Sequence, residues 1–483
     1  MPTVLPPLVV GFDLDMTLVD TRPGIAAVLD ALAAETGVEI DSAAAVGRLG
    51  PPLDDELARW FAADQMVAAA DRFRALYPGL AVEPTPAMPG AHAAIDAVHR
   101  AGGRVVVVTG KYAPNARLHL DHLGLAADDL VGWAWGAEKG KVLLEHGAGV
   151  YVGDHLGDVL GARAAGALSV GVPTGPVSAE ELRAAGADVV LESLLDFPDW
   201  LDTHLLEVRL AALSTRLREL GRVVVAFSGG ADSAFLLAAA VDELGPEAVV
   251  AATAVSSSLP GAELAAAQEF AAGLGVRHLT PATDEMSREG YRANAGDRCY
   301  FCKAELLDVL LPLAADLGIA DVATGTNADD AKAGFRPGIR AAAERGAVTP
   351  LLDAGLTKSQ VRAASLRRGL VTWDKPAAAC LSSRVSFGLE ITPARLARVE
   401  RAEVALRDAL AAAGVPVADL RVRDLGGDRA RIEVDAAVAA RVAGDPALLE
   451  AVCSAGFAEV EVDPRGFRSG AMNELLAEPE RFR

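Results

Sequence analysis

Four segments of this chain are unbroken runs of β-branched and small apolar residues that give way abruptly to polar ones: Val9–Phe12, Val105–Val108, Val150–Val152 and Val223–Ala226. Runs without polar alternation are the mark of strands buried on both faces, as in a parallel sheet. Ala248–Val255 repeats the pattern and Val276–Leu279 and Asp321–Thr324 are further candidate strands, with helical stretches at Ala234–Ala240, Ala262–Leu274 and Lys303–Leu317 between them. Strands alternating with helices predict an α/β fold with doubly wound parallel sheets, whose ligands sit beyond the strand C-termini. Gly186–Leu191 reads as the last strand of a first unit, and Phe197-Pro198-Asp199-Trp200 as its exit, with Pro198 ending regular structure. A helix from about His204 to Leu220 then leads onward. From Thr392 the pattern changes to an amphipathic helix and two alternating strands, Leu420–Leu425 and Arg429–Val434, around Gly426-Gly427. The expected division is 1–203, 204–388 and a small α+β domain over 389–483.

Composition narrows the function classes. The 483 residues, 51% apolar and 23% charged, are an ordinary globular mix for two to four domains. No uncharged apolar run reaches the roughly 18–20 residues needed to cross a bilayer, and the opening Met-Pro-Thr-Val-Leu-Pro-Pro is not a signal peptide. A cytoplasmic protein without membrane contact is expected. A net charge of −21 disfavours nonspecific nucleic-acid binding while leaving room for a local basic pocket. Four cysteines in so long a chain are no disulfide framework and point to metal or catalysis.

The first three strands each end in chemistry. Asp13 and Asp15 leave a strand end on the same side, so one can attack while the other exchanges protons. Thr109 closes the second strand, with Lys111 just beyond it. Lys139 lies where a phosphate-neutralising cation is needed, and Lys141 competes for that role. The third strand runs into Asp154 and Asp158, two carboxylates suited to Mg²⁺. In this order the four pieces resemble the haloacid-dehalogenase (HAD) superfamily over residues 1 to about 200. The resemblance implies a Rossmann-like domain with Asp13 as nucleophile and Asp15 as general acid/base. It assigns Thr109 and Lys139 to the phosphoryl group, and Asp13, Asp15, Asp154 and Asp158 to Mg²⁺. The Ala-rich helical stretch over about 20–85 would be an inserted cap that sets the substrate, which the sequence does not name.

The strand Val223–Ala226 runs into Ser228-Gly229-Gly230-Ala231-Asp232-Ser233 and then a helix. A strand feeding a glycine turn that opens a helix aims unpartnered amides at one point, a phosphate site. Both glycines let a ligand approach and allow dihedrals a Cβ would forbid. Ser228 and Ser233 can cradle pyrophosphate, and Asp232 can hold Mg²⁺. Without the Gly-Lys-Ser/Thr ending of a Walker loop, the segment resembles the PP-loop of ATP pyrophosphatases. Ser256-Ser257-Ser258 and Gly325-Thr326-Asn327 end further strands on the same side, so Ser256, Gly325, Thr326 and Asn327 join the expected ATP site.

Cys299 and Cys302 form a C-x₂-C, and Cys380 follows in Trp373-Asp374-Lys375-Pro376-Ala377-Ala378-Ala379-Cys380-Leu381-Ser382-Ser383-Arg384. Alone, C-x₂-C is ambiguous among a redox pair, a zinc half-site and an iron–sulfur half-site. Three thiolates without an evident fourth ligand argue against closed structural zinc and suit a [4Fe–4S] cluster with one open iron. Cys453, in an apolar helical context, reads as core. With Arg298–Lys303, Gly325–Asp330, Arg336-Pro337-Gly338 and the tail Gly466–Glu474, these motifs resemble the LarE family of ATP-dependent sulfur transferases over about 205–483. That family makes the pyridinium bis-thiocarboxylic acid mononucleotide precursor of the nickel-pincer cofactor. In one style a lone cysteine, here Cys380, gives up its own sulfur; in the other three cysteines hold a sulfide-carrying cluster, the style favoured here.

In the first C-terminal strand Arg421 and Arg423 share a face. With Arg384 they are expected to grip the phosphate and carboxylates of a pyridinium mononucleotide. The expected reaction adenylates a substrate carboxylate and then replaces AMP with sulfur. Rival readings are a tRNA thiolase, an NAD-synthetase-like amide former, or a non-catalytic iron–sulfur carrier. A tethered phosphatase implies action on a pathway nucleotide or by-product. Other enzymes of nickel-pincer synthesis, or further copies of this chain, are the expected partners.

Overall fold

A computed structural model describes residues 6–332, 336–376 and 380–468. Two compact units emerge, one from Pro6 to Leu205 and one from Leu206 onward. No described helix is long and apolar enough to cross a membrane.

The first unit is built on six parallel strands: β1 Val9–Phe12, β2 Arg104–Val108, β3 Asp129–Val131, β4 Val150–Gly153, β5 Leu168–Gly171 and β6 Val189–Val190. Their order is β3-β2-β1-β4-β5-β6. Alternate side chains feed separate cores on the two faces, as the two-residue strand period requires. Val10, Phe12, Val105, Val107, Val150 and Val152 enter one, and Val9, Val106, Val108 and Tyr151 the other. The strand order reverses between β1 and β4, which is where an open α/β sheet leaves a crevice at its C-terminal edge. Between β1 and the helix Ala91–Arg100 the chain inserts four helices, Arg22–Thr36, Ser42–Val46, Leu53–Leu57 and Met66–Leu80. They close on their own core of Val28, Leu29, Leu32, Phe61, Phe73 and Tyr77.

The junction helix is Phe197–Leu220, so regular structure starts at Phe197 rather than at His204. Pro198 opens this helix instead of ending one. In the first turn its missing N–H has no partner to lose, and its fixed φ suits the helix.

The second unit holds a parallel sheet of β7 Val223–Ala226, β8 Val249–Ala252, β9 Arg277–Leu279 and β10 Asp321–Thr324, ordered β10-β7-β8-β9. Again the two faces divide: Val223, Val225, Val249 and Ala251 enter one core, and Val224, Ala226, Val250 and Ala252 another. A smaller sheet follows: β11 Leu420–Gly426 runs antiparallel to β12 Arg429–Val434, which runs parallel to β13 Glu459–Val462. The helix containing the C-x₂-C is Arg298–Asp316, so Cys299 and Cys302 stand within its first two turns instead of ahead of it. Of the tail motif, residues 469–474 lie outside the described residues.

Candidate functional site

The first site forms where β1, β2 and β4 end. The Asp13 amide donates to the Val152 carbonyl at 2.8 Å, which ties the loop after β1 to β4 and brings Asp154 alongside. Asp13, Asp154 and Asp158 each offer an oxygen within 4.8 Å of the others, the only such trio among the described residues. Three carboxylates so close suit a hard divalent cation. Lys139 is fully buried between Asp13 (2.7 Å) and Asp158 (2.6 Å), whereas Lys141 on the same helix is exposed. Thr109 is buried at the end of β2, its hydroxyl accepting the Lys111 amide at 3.2 Å.

Asp15, also expected at the cation, does not join these three side chains. Its carboxylate accepts the Thr21 hydroxyl at 2.6 Å and pairs with Lys111 at 3.0 Å, leaving it outside the trio. Asp158 does join the trio, though one oxygen meets Lys139 and the other caps its helix through the His155 amide at 3.0 Å. Burial pushes the Asp13 carboxyl up to about 7, with Lys139 pulling against it and Asp158 and Asp15 adding to it. Burial alone would raise Asp15 too, but Lys111 and the Thr21 hydrogen bond outweigh it and leave that carboxyl below its ordinary range. Met16, beside Asp15, has φ 62°, a conformation that strains a non-glycine residue and clusters at functional sites. The Thr174 hydroxyl donates to its carbonyl at 2.6 Å.

The second site is a cleft at the C-terminal ends of β7, β8 and β10. Ser228, Gly230, Asp232, Ser233, Gly325 and Thr326 line it. Ser233 Oγ accepts the Ser228 amide at 3.3 Å and donates to the Gly230 carbonyl at 3.1 Å, closing the loop on itself. Gly229 needs its freedom, with φ at 71°, but Gly230 is an ordinary extended N-cap at φ −81°. Only one glycine of the pair therefore adopts a dihedral a Cβ would resist. Gly325 matters for a different reason: a Cβ there would lie 2.8 Å from the Ser233 amide nitrogen. Asp232 Oδ1 is buried with no hydrogen-bond partner among the described residues, which fits a cation ligand. Burial raises its carboxyl, and Lys358 opposes the rise.

Two expected ATP residues make their contacts within the protein, Asn327 also reaching the Asp232 carboxylate. Asn327 is buried and caps the helix Ala328–Lys332, its Oδ1 accepting the amides of Asp329 (3.0 Å) and Asp330 (3.1 Å). Ser256 donates to the buried carboxylate of Glu285 at 2.5 Å, as Ser258 does. Neither side chain lines the cleft. The cleft instead gains Lys303, Lys358, Arg362 and Lys375. Lys375 donates to the Gly229 carbonyl at 2.9 Å and pairs with Glu263 at 2.7 Å. Lys358 was legible only indirectly: Thr357 and Gln360 form a capping box that puts it in a first helical turn.

Beside this cleft the three thiols lie close enough to act on one another's charge. Burial lifts Cys302 well above the ordinary thiol range, and Cys380, Glu285 and Cys299 add to it; burial and Cys380 raise Cys299 as well. Lys303, next in the chain to Cys302, lines the nucleotide cleft, and so does Leu259, whose neighbour Ser258 accepts the Leu381 amide at 2.9 Å. Pro376 also lines the cleft, and four residues of chain span at most about 14 Å to Cys380. Thiolates are the usual ligands of iron–sulfur clusters, so a set of three fits one with an open iron. Tyr291 donates into or accepts from Ser382 at 2.5 Å and borders the same thiols.

Arg384, Arg421 and Arg423 do converge, but not as open forks. Arg384 is buried against Glu403 at 2.9 Å and donates to the Cys380 carbonyl at 3.0 Å. Arg423 is buried on Glu433 at 2.7 Å and donates to the Ser383 carbonyl at 3.0 Å. Arg421 lies over the Phe467 ring, and burial and the charge of Arg384 lower its pKa. Two of the three therefore brace the segment after Cys380. The sequence could not show which carboxylates they would meet.

A family model described as haloacid dehalogenase-like hydrolase matches residues 10–163, and a HAD-hydrolase-like model matches residues 139–197. The chain is 43% identical to the uncharacterized protein slr1717 of Synechocystis sp., over 56% of this chain and 99% of that protein. It is 34% identical to the pyridinium-3,5-bisthiocarboxylic acid mononucleotide synthase of Lactiplantibacillus plantarum, over 57% of this chain and 97% of that one. It is 30% identical to a phosphoglycolate phosphatase of Caulobacter vibrioides, over 39% of this chain and 88% of that one.

Proposed function

The chain belongs to the LarE family of ATP-dependent sulfur transferases and carries a haloacid dehalogenase-like hydrolase domain ahead of it, and from that membership we propose what each site does. The second unit adenylates a carboxylate of a pyridinium-3,5-biscarboxylic acid mononucleotide and converts it to a thiocarboxylate. A carboxylate holds its oxygens too firmly for sulfur to displace them. Activation solves this: a carboxylate oxygen bonds to the α-phosphorus of ATP as the bond to the β-phosphate breaks, and pyrophosphate leaves. Sulfur then bonds to the acyl carbon and AMP departs.

The residues divide this work. The amides and hydroxyls of Ser228–Ser233 face the phosphates from a helix N-terminus, while Lys358, Arg362 and Lys375 offset the charge of departing pyrophosphate. Asp232, with its orphaned oxygen, would hold Mg²⁺. Cys299, Cys302 and Cys380 would hold a [4Fe–4S] cluster, which when bound supplies sulfide for transfer. Arg384 and Arg423 fix the backbone on either side of Ser382. One observation supports the reading above the others: Lys303 lines the nucleotide cleft and is covalently next to Cys302, so activation and sulfur chemistry adjoin.

In the first unit, Asp13 attacks the phosphorus of a phosphate monoester held by Thr109 and Lys139; Asp13, Asp154 and Asp158 would hold Mg²⁺, which would offset the phosphate charge. The ester P–O bond breaks, the leaving oxygen takes a proton from Asp15, whose pairing with Lys111 has to yield as substrate enters, and an aspartyl phosphate forms. Water, giving its proton back to Asp15, then releases inorganic phosphate. Incubating the iron- and sulfide-reconstituted protein anaerobically with ATP, Mg²⁺, sulfide and the biscarboxylate mononucleotide tests the transferase: it should release pyrophosphate only with the acid present and yield a product heavier by sulfur replacing oxygen. Pyrophosphate release indifferent to the acid would count against it.

A further inference from the structure

The cleft above Asp13 and Asp154 is larger than a phosphoryl group needs, and its walls are aromatic. Tyr112, Trp133 and Trp135 line it from the loops after β2 and β3, and Phe73, Arg74 and Tyr77 from the inserted helices. The whole chain has five tryptophans, and two of them, Trp133 and Trp135, stand at this one cleft outside the buried core. Trp133 in particular is not a core residue, being 56% exposed. It also has φ 62°, a left-handed conformation unusual for a bulky residue. Such strain persists only where the surroundings enforce it. Here they do: the Trp133 amide donates to the Lys111 carbonyl at 3.1 Å, and the Ala134 amide to the Thr109 carbonyl at 3.0 Å. Its ring meets Tyr112 edge-on, centroids 5.5 Å apart, and the Arg74 guanidinium stands 5.0 Å from its centre. The fold thus holds a large flat indole, half in water, at the mouth of a phosphatase cleft.

We propose that this site hydrolyses mononucleotides, phosphate monoesters whose sugar carries a flat heteroaromatic ring, with Trp133 and Tyr112 as the ring platform. The inference rests on the phosphatase reading of Asp13 and deepens it. A two-carbon phosphate ester would be fully served by Asp13, Thr109, Lys139 and the cation, and would leave the platform unused. A mononucleotide uses both ends, because every such base has a face that can stack on an aromatic side chain. Two sources share this chemistry. One is AMP, which the proposed transferase reaction releases in each activation; removing it would draw that reaction forward. The other is a pyridine mononucleotide of the kind the transferase site would take. The hydrolysis is balanced as above: the ester bond breaks, water supplies the oxygen of phosphate, and the nucleoside leaves with its 5′-hydroxyl.

The test uses the full chain with Mg²⁺ and measures phosphate release from AMP, nicotinamide mononucleotide and phosphoglycolate. The kcat/KM for at least one mononucleotide should exceed that for phosphoglycolate tenfold or more, and which mononucleotide leads identifies the source. Trp133→Ala should lower mononucleotide kcat/KM about tenfold, chiefly through KM, and change phosphoglycolate less than twofold. Trp133→Phe, which keeps a ring, should recover most of the loss. Preference for phosphoglycolate, or an equal loss on all three esters in Trp133→Ala, overturns the proposal. Asp13→Asn separates the two levels. If it still releases phosphate at the wild-type rate, the phosphatase reading itself fails; if it is inactive while the preference is flat or inverted, only the mononucleotide class is lost.

Discussion

Arg384 donates to the backbone carbonyl of Cys380 across 3.0 Å while gripping Glu403 with two other nitrogens at 2.9 and 3.3 Å. A buried ion pair thus fixes the main chain of a residue whose side chain would do sulfur chemistry. Lys in place of Arg384 keeps the charge but loses the fork, and leaves Glu403 partly unpaired. Arg384→Lys should keep acid-dependent pyrophosphate release within about threefold of wild type and lower thiocarboxylate formation at least tenfold. Its thermal midpoint should fall by several degrees. Assays of both half-reactions on one preparation check this; equal losses would place the guanidinium on the substrate instead.

The glycines of the nucleotide cleft should respond differently. A Cβ at Gly229 meets nothing closer than 3.6 Å, so Ala there costs only the left-handed dihedral, about 1–2 kcal/mol. At Gly325 the Cβ would press on the backbone of Ser233, and that backbone has to shift. Overpacking of this kind costs about 1–3 kcal/mol and moves the phosphate loop itself. Gly325→Ala should therefore raise the KM for ATP at least as much as Gly229→Ala, as measured by pyrophosphate release over a range of ATP concentrations.

Divalent cation should stabilise the first unit. Asp13 and Asp154 are both held above their ordinary carboxylate range, burial being the largest cause and neighbouring carboxylates adding to it. A bound Mg²⁺ reverses that balance and favours the ionised forms. Millimolar Mg²⁺ should raise the melting transition assigned to this unit, by mass action on the folded state. Chelation should lower it again, and Asp154→Asn should abolish the response. Calorimetry with and without EDTA reads this directly.

His119 carries a pH dependence. Its ring is buried, hydrogen-bonded to the Tyr77 hydroxyl at 2.9 Å, and burial and the charge of Lys111 bring its pKa down to about 4. An unfolded histidine titrates near 6.5. Between about pH 6.5 and pH 4 the unfolded chain therefore binds a proton that the folded chain refuses, and stability falls as pH drops through that window. Above it the contribution is flat. His119→Gln should melt lower than or level with wild type at pH 7.5 and gain relative to it at pH 5. A difference in midpoint that does not move with pH would contradict the burial of a neutral ring.

How much of this was readable in the sequence depends on the kind of contact. Asp13, Thr109, Asp154 and Ser228–Ser233 were legible because each directly follows a buried apolar run, and the end of a parallel strand fixes where the next residues emerge. Pairings across the fold were not. Nothing near Asp15 in the chain announces Lys111, nor does Arg423 announce Glu433; such partners meet only once strands and helices assemble. The same holds for Lys358 and Arg362, which reach the nucleotide cleft from a helix far along the chain. Helix limits failed where proline was read as a terminator, as at Pro198, although the first turn of a helix accepts it. Aromatic residues such as Trp133 gave no signal, because the short segment Gly132-Trp133-Ala134-Trp135-Gly136 between a strand and a helix has no period to read.

The central claim is that ATP activates the acceptor at Ser228–Ser233 and that sulfur reaches it by way of Cys380. The most direct measurement follows pyrophosphate and thiocarboxylate together, under anaerobic conditions with sulfide supplied in excess and over many turnovers, in wild type and Cys380→Ala. The account expects the variant to keep acid-dependent pyrophosphate release while forming no thiocarboxylate. Thiocarboxylate accumulating at the wild-type multiple-turnover rate in Cys380→Ala would contradict it.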